Sequence, residues 1–172
     1  MNFRIHLTHD ERGSAAVEFA LASLFLFGTI AAGLDFGVYT QQKLKLGSAV
    51  EQAAIMAFND RSSAPNVDTS VLTSHITSVV SGVSVVGFQC NGSACGSGAP
   101  QSRCVAAPAV SGGAPTFSSP TTGSDGALTC ASGALPGYYL VIRANKPYQA
   151  VVMPDKWLGG STMVEQAVVR LQ

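Results

Sequence analysis

Between Ser14 and Leu34 the sequence carries one charge, Glu18, in a run of about 21 otherwise uncharged, mostly apolar residues. A helix needs about 20 such residues to cross roughly 30 Å of hydrocarbon at about 1.5 Å per residue. A chain with this segment must place it in lipid, cover it with protein, or lose it as a signal. The carboxylate costs roughly 2.5–3.5 kcal/mol on an insertion scale if it sits deep, and less near the interface, so it calls for a partner. Val79–Phe88 and Tyr138–Ile142 are too short to form a second crossing.

With charged residues at 12% and a formal net charge of zero, there is no basic surface for nucleic acid and no acidic tail. Before the run, Met1 to Arg12 holds Arg4, His6, His9, Asp10, Glu11 and Arg12. A secretory signal peptide over residues 1–34 would need a small-residue cleavage site after the run, and Thr29-Ile30-Ala31-Ala32-Gly33 is permissive there. Glu18, however, fits poorly in an apolar signal core. Arg4 and Arg12 before the run balance Lys43 and Lys45 after it, so positive charge alone does not set the orientation.

Arg12-Gly13-Ser14-Ala15-Ala16-Val17-Glu18-Phe19-Ala20-Leu21, running into a membrane-length segment, resembles the leader of type IV pilin-like proteins. More narrowly it resembles the TadE-like family of tight-adherence (Tad) pilus minor pilins and pseudopilins. The resemblance implies that a prepilin peptidase cuts between Gly13 and Ser14. Glu18 then becomes the fifth mature residue, an assembly carboxylate followed by the aromatic Phe19. The new ammonium of one subunit and Glu18 of the next are opposite charges that attract inside a low-dielectric filament. Other Tad pilus subunits, an inner-membrane assembly platform and membrane lipid are the implied partners. The implied location is the inner membrane, single pass, with a periplasmic head that can enter the extracellular pilus.

Beyond Leu34, the positions Phe36, Tyr39, Leu46, Val50, Ala53 or Ala54, and Ala57 or Phe58 recur at three and four, predicting an amphipathic continuation of the helix to about Asn59. Asp60 to Pro65 then supplies stop and turn signals. Leu34-Asp35-Phe36-Gly37 again resembles the TadE-like pattern. Gly33 and Gly37 are either a small-residue pair for close helix packing or coincidental glycines. Asp68 or Thr69 can cap a short helix reaching Val80, with Val71, Leu72, Ile76, Val79 and Val80 at helical spacing. Ser84–Cys90, Tyr138–Ala144 and Thr162–Leu171 read as strands, Asn145–Tyr148 as a break, and Met153–Gly160 as a connecting loop. The carboxy-terminal strands also resemble the TadE-like ending.

Asn91–Gly137 is rich in Gly, Ser, Pro and Thr, too long for a plain connector, and matches no pattern of the family. Cys90, Cys95, Cys104 and Cys130 lie in or beside it without zinc-ligand spacing, so disulfides in an oxidising compartment are the expected pins. Three connectivities are open, and the sequential set, Cys90 with Cys95 and Cys104 with Cys130, is preferred. No metal or other cofactor is implied. Once the leader is removed, His75 is the remaining histidine, and no catalytic, phosphate-binding or dinucleotide motif appears. Trp157, Tyr138, Tyr139 and Tyr148 could form a recognition surface, with core packing the default.

The expected fold is therefore α+β: a long N-terminal transmembrane and amphipathic helix packed on a small antiparallel sheet, with a disulfide-pinned loop. Its expected divisions are a leader (1–13), a transmembrane segment (14–34), a helical extension (35–60) and a periplasmic pilin-like head (61–172). The expected role is that of a processed pilus subunit supporting adherence and biofilm formation, without catalysis. Two alternatives are an uncleaved membrane-anchored periplasmic accessory or binding protein, and a secreted enzyme whose first 34 residues are a signal peptide.

Overall fold

The computed structural model describes residues 11–64, 66–96, 102–107, 115–123, 126–152 and 162–172. Most of the leader and the connecting loop 153–160, including Trp157, lie outside the described residues. Helix α1, Glu11–Asn59, runs unbroken for 49 residues, or about 73 Å. It contains no proline and is rich in Ala and Leu, so nothing in it interrupts the hydrogen-bond ladder. A single 3-10 turn, Arg61–Ser63, follows, with the Ser63 hydroxyl donating to Asp60 Oδ1 at 2.7 Å.

Helix α2, Thr69–Val79, starts at Asp68, whose carboxylate accepts from the Ser70 backbone N–H at 2.9 Å and the Ser70 hydroxyl at 2.6 Å. These bonds, the side-chain one foremost, hold the Asp68 carboxyl below its ordinary value by favouring the charged form. Leu72, Ile76 and the following Val80 are buried, while Val71 and Val79 turn outward. His75 Nε2 lies 3.2 Å from Gln52 Oε1, a hydrogen bond linking α2 to α1.

The main sheet has β1 (Val85–Cys90), β2 (Ser93–Ala94), β7 (Tyr139–Pro147) and β8 (Thr162–Arg170) in the order β2-β1-β7-β8, all antiparallel. Alternation along the strands puts Cys90, Leu140, Ile142, Ala144 and Met163 on the face that closes over α1. From α1 the core receives Leu46, Ala49, Val50, Ala53 and Ala57, spaced by three and four. The helical stripe differs from expectation at its start, where Phe36 is 66% exposed; at its end Ala57, of the two alternatives Ala57 and Phe58, turns inward. Small residues at this contact let the helix approach the sheet closely.

Of the expected break at Asn145–Tyr148, the first three residues are instead part of β7, which pairs with β8 as far as Pro147↔Thr162, and only Tyr148 lies beyond the strand. The pairing with β1 has already stopped at Asn145, so Pro147 sits where β7 has only one neighbour and its missing N–H interrupts nothing. Tyr148 meets Asp35 at one end of the head, and Glu165 of β8 lies beside Lys43, with its carboxylate 3.9 Å from the ammonium. Leu171 and Asn59 border a common surface cleft at the other end. β8 therefore ascends alongside α1, and β7 descends.

The packing makes a specific comparison. Ile142→Ala, on the central strand and fully buried, should lower the unfolding free energy by about 2–5 kcal/mol. Phe36→Ala should change it by less than about 0.5 kcal/mol. Denaturant titration of the detergent-solubilised chain, followed by near-ultraviolet circular dichroism, distinguishes them, and equal losses would contradict this core.

Candidate assembly and anchoring site

Nothing in the described head covers the first half of α1. Val17, Phe19, Leu21, Leu24, Phe25, Leu26, Phe27, Ile30 and Leu34 are all exposed, and no residue of the helix's most apolar window is buried. Two of the segment's hydroxyls turn back on the helix: Ser23 donates to Ala20 O at 2.9 Å and Thr29 to Leu26 O at 2.8 Å. Its polar groups are thus largely satisfied within the helix, as a hydrocarbon setting demands. Glu18 is the exception, exposed and held by no hydrogen bond or ion pair from the described residues.

Gly13 and Ser14 lie within the described part of α1, near where it begins. Ser14 and Glu18 are four apart, so they share a helix face about 6 Å apart along the axis. An ammonium created at Ser14 would stand within reach of a carboxylate at Glu18, in its own chain or a neighbour. Gly33 and Gly37 each have open space where a Cβ would stand, so neither is required by packing within this chain.

Asp35 carries more of the structure than its sequence context suggested. It is 0% exposed, and its carboxylate accepts the backbone N–H of Val151 at 2.8 Å and of Val152 at 3.1 Å. Its own carbonyl accepts the Tyr148 hydroxyl at 2.9 Å, and Tyr148 stacks edge-on against Tyr39 with centroids 5.1 Å apart. The signal was available: Asp35 precedes Tyr39, Gln42, Leu46 and Ala49 at alternating steps of four and three, so it begins the buried stripe. Burial, reinforced by the nearby Asp35 charge, pushes the Tyr148 phenol above its ordinary value; burial also raises Tyr138.

The long insertion follows β1 at Cys90, pairs back on it through β2, and rejoins β7 after Tyr138, at the end of the head opposite the Asp35 contact. Disulfides join Cys90 to Cys95 and Cys104 to Cys130. The region expected to be all loop contains short pairs: β3 (Cys104–Ala107) with β4 (Thr116–Ser118), and β5 (Thr121–Thr122) with β6 (Leu128–Thr129). Few large apolar residues are available, so local ladders and crosslinks substitute for a core. Phe117 packs on Tyr139 at 5.8 Å, and Arg103 bonds Ser119. Gly137 is required by close approach, because a Cβ there would meet the Gln172 carbonyl oxygen at 2.5 Å. Tyr138 and Tyr148 are core residues, with Tyr139 half-buried. Among the described residues, no group of three His, Cys, Asp or Glu side chains could hold a metal ion.

Residues 13–54 match the family model for TadE-like protein. The match spans the junction at Gly13, the apolar segment, Asp35 and most of the buried helical stripe, and it ends before the insertion. It supports association with a Tad-type pilus. Searches among curated proteins and among solved structures return no match.

The phenols set an alkaline limit. A phenol whose folded value lies above its unfolded value contributes stability that is complete below about pH 10 and is lost as pH rises through the folded value. The head should therefore loosen in alkali, with Tyr148→Phe removing part of that dependence; phenolate absorbance during a pH titration reads it, and an unchanged profile would contradict the assignment. Reducing Cys104–Cys130, which closes a loop with a sequence separation of 26, should cost about 3.5 kcal/mol of insertion stability. Hydrogen exchange should then rise across β3–β6 but not in Ile142 or Leu46, and exchange throughout the core would count against an independently pinned insertion.

Proposed function

We propose that this protein is a minor pilin or pseudopilin of a Tad-type pilus, cut between Gly13 and Ser14 by a prepilin peptidase. The observation that carries this reading is the apolar half of α1, which has one carboxylate unpartnered among the described residues and no cover from its own head. That half lies within the TadE-like match. In this reading the mature chain begins at Ser14, spans the inner membrane through residue 34, and continues as the 35–60 extension beneath a periplasmic head. Two disulfides in the head suit that oxidising compartment.

The work is structural, in keeping with the TadE-like family. Lipid stores the apolar helix until the assembly platform transfers it to a growing pilus, where helices of neighbouring subunits replace lipid as its cover. Glu18 then neutralises the Ser14 ammonium of an adjacent subunit, with Phe19 alongside in the same contact. The pair suits a low-dielectric interior, where an unpaired member is penalised. Adherence and biofilm formation follow from the assembled pilus.

Glu18→Gln tests the charge. The variant should reach the membrane and be processed at wild-type levels, while its amount in sheared pili falls at least about tenfold, the equivalent of roughly 1.4 kcal/mol. Incorporation at the wild-type ratio would remove Glu18 from the assembly mechanism.

A further inference from the structure

We propose that the head makes a second contact with lipid, an interfacial anchor formed by Val151 and Val152 and held in place by Asp35. The inference rests on reading residues 14–34 as the membrane span. About 21 residues at about 1.5 Å each carry the helix roughly 32 Å, so Asp35 emerges at the hydrocarbon boundary. The backbone of Val151 and Val152 is fastened to that level, their N–H groups 2.8 and 3.1 Å from Asp35 Oδ1.

Both side chains face outward: Val151 is 68% exposed and Val152 54% exposed. Leu34 and Phe36, the chain neighbours of Asp35, are exposed as well, so the residue that holds the valines is itself flanked by exposed apolar side chains. In water these side chains have no use, and at the edge of a bilayer they leave water. The hydrogen bonding fits the same setting. A non-helical segment near hydrocarbon cannot leave backbone N–H groups bare, and Asp35 accepts the two that the valines would otherwise present. The carboxylate is buried against those donors, so the charge itself is shielded from the lipid.

The anchor fixes the tilt and rotation of the head over the membrane, because a single helix alone leaves both free. It also gives extraction a second step, since the valines must leave lipid when the subunit enters a filament.

The test uses the full chain in vesicles of phosphatidylethanolamine and phosphatidylglycerol. A nitroxide is placed at Val152→Cys, and its collision rates with oxygen and with a water-soluble nickel complex are compared. Leu24→Cys in the span and Leu135→Cys in the insertion, both exposed positions, are the references. The four native cysteines are paired, so only the new thiol takes the label. The Val152 label should favour oxygen over nickel by several fold relative to Leu135, at a depth shallower than Leu24. Adding Asp35→Ala should move it to the Leu135 value while Leu24 stays in lipid. A Val152 label as aqueous as Leu135, with Leu24 in lipid, would overturn the anchor alone. An aqueous Leu24 label would overturn the span and the anchor together. Retention of the Val152 label at depth in Asp35→Ala would show that the clasp is not what holds it.

Discussion

A single helix whose two halves are covered differently dictates the rest of this structure. The second half of α1 is covered by its own sheet, where Leu46, Ala49, Val50, Ala53 and Ala57 fit beneath Leu140, Ile142 and Met163. The first half is apolar on every side and receives no such cover. Burial of apolar surface is the largest favourable contribution available to a chain of this size, and nine large exposed side chains cannot remain in water without aggregation. Lipid or other helices must supply what the head does not.

Asp35 marks the change from the uncovered half of α1 to the covered half. It ends the uncharged run, begins the buried stripe, and receives the segment that follows β7. Removing its carboxylate would leave two backbone donors without an acceptor, a cost on the order of 3 kcal/mol. The opposite end of the head is built by other means. The insertion between Cys90 and Tyr138 has too few large apolar residues for a core, and two disulfides with short ladders hold it instead.

Much of this was legible in the sequence because it rests on periodicity. The uncharged run gave the apolar helix, spacing by three and four gave its extension to Asn59, and alternation gave β8. The errors fall where tertiary context overrides a local signal. Phe36 looked like a core residue because it stands three positions before Tyr39, yet its angle on the helix faces it outward, and the polar Asp35 next to it takes the buried position. Asn145-Lys146-Pro147 looked like a break because proline lacks a donor, but the neighbouring strand had already ended. The ladders within 91–137 were hidden because strands as short as Cys104–Ala107, Thr116–Ser118, Thr121–Thr122 and Leu128–Thr129 carry too little alternation to detect. Gly13, Ser14 and Glu18 were singled out by resemblance, and their roles depend on partners that one chain does not contain.

The most direct measurement is the intact mass and N-terminal peptide of the protein extracted from membranes of cells with and without their prepilin peptidase. The account predicts a chain beginning at Ser14 when the peptidase is present and one retaining the leader when it is absent. A chain that keeps Met1–Gly13 in both would make the helix a permanent anchor. One beginning beyond the apolar run would make it a signal peptide, and either result would contradict an assembly role for Glu18.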